Sequence, residues 1–352
     1  MIFSRTGSSH TWEARTGRRA FFFAVLILGA VFALPSPGTA AAAASPVDPD
    51  PPAEIAQSYQ AGHYDQAVEA LEAAIGKSPQ DAALQYWLGR SYYEKSDYGK
   101  AISSFERATN LEPASSEFHR WLGIACGRKA EESNMFSAFN LARRTHHEFQ
   151  TAVQLDPSNL EAQRDLIRYM MFAPGFLGGG DDHAMEQLAA LALVDPVQAE
   201  LAQAEYFTAR KKFDQAGEQY QKLLEAGGQK AGVYFEIAEY YRDRDEPQEM
   251  RKAVEAARKA SPTDQRLEYY RGVLLVLEKG DAARAEKYLR LYLSDVPPNS
   301  AFPSQGSAHE WLGKLYEAEN KPEQAEEEYR TAQQLNPRNK DFREEVKRLE
   351  KK

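Results

Sequence analysis

The apolar positions of this chain fall into short blocks with helical spacing, separated by polar turns. In YWLGRSYYEKSDYGKAISSFERATNLEP (Tyr86 to Pro113), Leu88 and Tyr92 stand four apart and share one helix face. After the polar turn KSDYG, Ala101, Phe105 and Ala108 follow at i, i+4 and i+7, again on one face. Pro113 lacks a backbone donor and closes the second block. The pattern predicts two antiparallel helices. Gly89, Ala101 and Ala108 are small enough to let them approach, and an aromatic ring fills the space between. Such a pair carries more apolar surface than it can cover by itself, so further pairs must stack on it.

The same pattern returns. The tripeptide Trp-Leu-Gly occurs at Trp87, Trp121 and Trp311, the first two copies 34 residues apart. EWLGKLYEAENKPEQAEEEYRTAQQLNP (Glu310 to Pro337) matches the first segment at Trp311, Leu312, Gly313, Tyr316, Ala325, Tyr329, Ala332 and Pro337. Gly and Pro are 24 residues apart in both. Block-ending positions recur at Pro79, Pro113, Pro157, Pro196, Gly228, Pro262, Pro297 and Pro337, with spacings of 34, 44, 39, 32, 34, 35 and 40. A period of this length marks a repeat array. These motifs resemble the tetratricopeptide repeat. The resemblance implies an all-α fold, a right-handed α-solenoid of about eight helical hairpins over residues 54–340. The polar tail DFREEVKRLEKK (residues 341–352) reads as a helix that caps the last apolar face.

Three irregular stretches interrupt the period, near residues 128–150, 172–183 and 297–306. The first, RKAEESNMFSAFNLARRTHHEFQ, adds ten residues. With Ser133 as its cap, it predicts a second helix running on to about Leu155 and lengthened by about 15 Å. Its tip, bearing Met135, Phe136 and Phe139, either packs on the neighbouring hairpin, which is the expected arrangement, or stays free. The second, MMFAPGFLGGGDDHAME, predicts a helix stopped by Pro174, a tight turn at Gly178, Gly179 and Gly180, and a new helix capped by Asp181 or Asp182. Gly178–His183 is also an alternative small-ligand or glycan site. The turn lacks the Lys and Ser/Thr of a phosphate loop. Asp181, Asp182 and His183 are neighbours whose side chains diverge on a helix, so no metal site is expected. The third stretch, rich in proline, predicts an edge loop. Residues 116–196 further resemble an exported bacterial family of tetratricopeptide proteins without an established activity. That resemblance ties the first two irregularities together and supplies no catalytic residues.

Composition adds a location. Residues 1–19 carry four Arg and one Glu, Ala20–Leu34 is an apolar run of 15 residues, and small residues follow. This is the pattern of a secretory signal peptide over residues 1–44, cleaved between about Ala40 and Ala44, with a Pro-rich lead-in over 45–53. The expected location is the periplasm or the exterior, or a membrane anchorage if the leader stays. No other apolar run approaches a span. Without the leader, the net charge moves from −9 to about −12, which argues against nucleic acid. The lone Cys126 excludes an internal disulfide and reads as a small buried hydrophobe.

Reactive constellations are absent from the sequence. There is no HExxH and no GxSxG. The adjacent His146 and His147 point apart and read as a solvated face, as do the Glu, Lys and Arg residues at helical spacing. No cofactor is expected and no enzyme activity. The resemblance implies instead that first-helix residues line a concave groove: Tyr86, Arg90, Tyr93, Arg120, Arg128, Phe235, Arg242, Tyr269 and Val273. Aromatic and Arg side chains are those that dominate protein interfaces, so the expected partner is a protein or peptide. The family's Lys and Asn clamp for a terminal carboxylate is not matched, since Tyr86 and Arg90 in one hairpin and Arg120 and Ile124 in the next stand in its place.

Overall fold

Aspartate, asparagine and serine start about half of the helices, each by accepting a hydrogen bond from a backbone N–H of the first turn. Asp81, Asn159, Asp281 and Ser304 do so at 3.0–3.1 Å. The computed structural model describes residues 49–51, 53–296, 302–337 and 339–349. The leader, most of the Pro-rich lead-in and the first half of the third irregular stretch lie outside the described residues.

Helices pair along the chain. The first hairpin joins α1 (Ala53–Gln60) to α2 (Tyr64–Lys77), the second α3 (Ala82–Glu94) to α4 (Tyr98–Leu111), and the third α5 (Ser116–Glu131) to α6 (Met135–Leu155). The fourth joins α7 (Leu160–Phe172) to α8 (Asp181–Val194) through a 3₁₀ turn at Gly175–Leu177. Then come α9 (Pro196–Ala209) with α10 (Phe213–Ala226), α11 (Ala231–Asp243) with α12 (Pro247–Ala260), α13 (Arg266–Leu277) with α14 (Ala282–Asp295), and α15 (Gln305–Ala318) with α16 (Pro322–Leu335). A last helix, α17 (Lys340–Leu349), buries Phe342 and Val346 against the end of the array. The described residues contain no strand. The all-α solenoid of eight hairpins and a capping helix is the fold the repeat implied.

The Trp-Leu-Gly glycines show why the motif recurs. A Cβ on Gly89 would lie 2.6 Å from the Phe105 ring, one on Gly123 2.7 Å from Phe149, and one on Gly313 2.7 Å from Tyr329. Each hairpin closes by seating the ring of its second helix on the bare backbone of its first. Gly272 and Leu289 make the same contact at 2.6 Å in hairpin seven, where Trp-Leu-Gly is missing. Ala101, Ala108, Ala325 and Ala332 are fully buried between helices.

The turns divide the hairpins into two kinds. In hairpins one, two, five, six, seven and eight, one turn residue is left-handed: Gly62, Ser96, Lys211, Asp245, Lys279 and Asn320, with φ between 51° and 74°. Each non-glycine there costs about 1 kcal/mol, which the packed hairpin offsets. Hairpins three and four, the two with irregular spacing, abandon this turn. Asn134, not Ser133, caps α6, accepting from the Ser137 N–H at 3.1 Å, while Ser133 donates to the Lys129 carbonyl. The helix then runs 21 residues against 14 for the other second helices after α2's own 14, so it stands about 10 Å longer.

Two further sequence expectations are corrected. Pro196 does not end a repeat from outside the helix. It is the first residue of α9, and Asp195 both closes α8 and caps α9, accepting from the Val197 and Gln198 N–H groups at 2.9 and 3.0 Å. Proline at that position loses nothing, because its missing donor would have had no partner. Neither Asp181 nor Asp182 caps α8. Gly180 holds that position at φ 127°, and both acids sit in the first turn.

Candidate interaction surfaces

First helices of successive hairpins lie side by side, α3 on α5, α5 on α7, α7 on α9 and α13 on α15. They form the wall on which the candidate groove residues were expected. Five of these are buried within the array: Tyr86, Phe235, Arg242, Tyr269 and Val273. Tyr86 stacks on Phe118 of α5 with centroids 5.0 Å apart, and Phe235 stacks on Tyr270 at 4.8 Å. Arg242 pairs with Asp243 at 2.8 Å. Their place is the packing between hairpins, because a residue at the flank of a first helix faces the next repeat rather than the open side.

The remaining four are partly exposed on hairpins two and three. Arg90 donates to the Tyr86 hydroxyl at 2.8 Å and lies over Trp121, 3.8 Å from a ring centroid. Tyr93 meets the same indole edge-on at 5.3 Å. Arg128 pairs with Glu131 at 2.8 Å. Beside this aromatic face, the Trp87 indole donates to the carbonyl of Pro49 at 2.7 Å. Pro49 borders an open cleft whose far side is residues 112–115, Glu117 and Phe118 at the start of α5.

Arg120 opens a ladder that the sequence did not reveal. It bonds Glu117 of its own helix and Asp165 of α7, each at 2.8 Å. Asp165 accepts from Arg168 at 3.0 Å, and Arg168 reaches Glu205 of α9 at 3.3 Å. Arg164, with 5% of its side chain exposed, bonds Glu205 and Glu236 of α11, each at 2.6 Å. Burial works against the charge of Arg164, but Glu205 and Glu236 more than compensate and hold the guanidinium protonated. The expectation that these charges form a solvated face is therefore corrected for Arg164, Asp165, Arg168, Glu205 and Glu236. Sequence spacing showed only i,i+3 and i,i+4 neighbours. The partners lie on other hairpins.

The second surface is apolar. Met135 is 78% exposed, Phe136 80% and Phe139 41%, at the tip of α6. Phe176, 77% exposed, stacks on Phe139 with centroids 6.3 Å apart, and Phe172 at the end of α7 is 51% exposed. The expected packing of the α6 tip on its neighbour is met by Phe139 alone. Met135 and Phe136 stand free. The two irregular stretches thus meet in one ridge.

Under the ridge, the glycine turn serves packing. A Cβ on Gly178 would overlap the His146 ring at 2.2 Å, and one on Gly179 would lie 1.9 Å from the Ala173 carbonyl oxygen. His146 stacks on Tyr169 at 5.1 Å with planes 9° apart. It is a half-buried ring packed between Tyr169 and the glycine turn, which differs from the solvated face expected for it. Burial pushes its pKa down, and His183 and His147 add to this. Asp181 bonds Arg210, whose Nε lies 2.8 Å away. The alternative ligand residues Gly178, Gly179, Gly180, Asp181, Asp182 and His183 therefore build a turn whose space is taken by His146 and Ala173. Among the described residues, no group of three or more His, Cys, Asp or Glu side chains converges as metal ligands do.

Sequence families described as the tetratricopeptide repeat match residues 58–115, 89–132 and 306–339. Residues 58–132 and 306–339 are tetratricopeptide repeats. Among solved structures the chain is similar to a tetratricopeptide repeat protein from Parabacteroides merdae, at 16% identity over 80% of this chain and 99% of that one, with a TM-score of 0.46. It is also similar to a thermophilic repeat protein of Thermus thermophilus, at 20% identity over 53% of this chain and 95% of that one, with a TM-score of 0.43. No curated protein matches it in sequence.

What the tetratricopeptide array offers is surface. Its one thiol, Cys126, is fully buried, and burial pushes its pKa up to about 12 against the opposing pull of Arg144, so no thiolate is at hand for attack. Among the described residues no helix is long and apolar enough to cross a membrane.

Proposed function

We propose that this tetratricopeptide-repeat protein is an exported scaffold that holds an extended segment of a protein partner along the first helices of hairpins one to three, with no bond made or broken. The reading rests on the Trp87–Pro49 contact. There Pro49 lies against the first-helix wall, held by an indole N–H through its carbonyl. A main-chain acceptor is common to every peptide, so a partner segment that displaces Pro49 would meet the same donor. The half-open Arg90, Tyr93 and Arg128 side chains beside it supply aromatic and cationic contacts of the kind that anchor interfaces. Further along the wall the charges satisfy one another from Glu117 to Glu236, which favours the first three hairpins over the middle of the array.

The test is crosslinking and affinity capture from envelope extract, read by mass spectrometry, with Tyr93→Ala combined with Arg128→Glu. The double variant should keep its helical circular dichroism and lose the captured partner. An unchanged set of captured proteins removes the first-helix wall as the binding face.

A further inference from the structure

We infer that the ridge formed by the α6 tip and the glycine turn is the contact between two copies of this chain. The inference does not rest on partner capture at hairpins one to three, which uses other residues.

Met135, Phe136 and Phe139 lie at i, i+1 and i+4 of α6, Phe139 stacks on Phe176, and Phe172 ends α7 just before the turn that carries Phe176. The five are exposed by 78, 80, 41, 51 and 77% in the order Met135, Phe136, Phe139, Phe172, Phe176. With each side chain carrying roughly 200 Å², one copy presents on the order of 600 Å² of contiguous apolar surface. That is the top of the range for the largest apolar patch of a monomer, where such patches often serve binding. Two copies face to face would bury about 1,200 Å², the lower edge of a stable specific interface. Using the same patch on both copies about a two-fold axis is the arrangement of an isologous dimer.

Charge points the same way. The stretch 133–142, SNMFSAFNLA, contains no charged residue. Around it Arg128 pairs with Glu131, Lys129 with Glu132, and Arg144 with Glu106 and Glu148. Arg143, over the Phe139 ring at 6.0 Å, is the basic side chain left at the fringe. A net charge of −9, or about −12 without the leader, makes copies repel elsewhere, but over a screening length of about 8 Å the ridge is a neutral approach. A lipid surface would favour a cluster of basic residues there, and one Arg does not make one.

Sedimentation equilibrium of the chain purified after export, from sub-micromolar to tens of micromolar, should show reversible monomer and dimer. Phe136→Ser with Phe176→Ser should raise the dimer dissociation constant by about 100-fold or more. Its circular dichroism should not move, and below the dimer dissociation constant, where both proteins are monomers, neither should its melting temperature, because both rings are already mostly in water. Leu193→Ser, a control at the 90%-exposed leucine of α8, should leave association as it was. A monomer at every concentration overturns the inference, as does a dimer indifferent to the double variant. So does a monomer that instead binds phosphatidylcholine vesicles, with or without phosphatidylglycerol, through these rings.

Discussion

Arg164 of α7 grips Glu236 of α11 through two parallel bonds of 3.0 and 2.6 Å, although hairpin five lies between them in the chain. In a stacked array each repeat ordinarily touches only its neighbours. The tie is sterically allowed because α9 between them is rich in small residues, with Ala199, Ala202 and Ala204 buried. Arg164 also donates to Gln198 and Glu205 of α9, so one side chain fastens three first helices.

Replacing Arg164 by Ala should therefore destabilise the array, by less than the roughly 3–5 kcal/mol of a fully buried pair, because Glu205 and Glu236 keep 18% and 23% of their side chains in water. The loss should also be uneven. With hairpins four to six untied, urea unfolding followed by circular dichroism should split into two steps or show a lower m-value. A single transition with an unchanged midpoint would show that Glu205 and Glu236 find other partners.

The glycine turn makes a paired prediction. Gly179→Ala places a methyl against the Ala173 carbonyl oxygen with no room for it, and should lower stability by about 2–3 kcal/mol. Gly175→Ala, four residues earlier, meets nothing within 4 Å and should be neutral or stabilising by about 0.5 kcal/mol. Thermal melts of the two variants side by side decide it. Equal midpoints would mean the turn is looser than its contacts imply.

His146 gives the turn a pH dependence. Its folded pKa lies below the ordinary 6.5, chiefly through burial, so the folded state prefers the neutral ring. The stability this contributes is present in full above pH 6.5 and is lost as pH falls from 6.5 towards the depressed value. Carboxylates do not obscure this window. Glu148, where the His119 and Arg144 contacts outweigh burial, and Asp181, held by Arg210, are both depressed below ordinary values of 4.5 and 3.8 and lose their contribution only at more acid pH. The melting temperature should fall between pH 7 and pH 5, and His146→Phe, which keeps a ring on Tyr169, should flatten the fall. Identical slopes in both proteins would exclude His146 as the source.

Much of the candidate surface was hidden in the sequence for one reason. Periodicity says which face of a helix is apolar, but not which neighbour a flanking residue meets. Tyr86, Tyr269 and Val273 carry the chemistry of a binding face and yet are spent on packing. Arg164 and Glu236, 72 residues apart, give no sign of each other in a period of about 34. Gly272 did carry a signal, since a lone glycine before an apolar run marks a close helix approach even where Trp and Leu are missing.

The sequence by itself determined the unit and its count. Gly89 under Phe105, Gly313 under Tyr329, and the recurring alanines and prolines are local rules of one hairpin, readable because each acts over a few helical turns. It also announced that hairpins three and four differ. Only the tertiary structure decided what those differences do: that Phe139 meets Phe176 to make one exposed ridge, that His146 fills the hollow of Gly178, and that Arg164 spans three hairpins. These contacts depend on how far successive first helices are drawn together, and that curvature is a sum over many packed side chains that no single stretch of chain records.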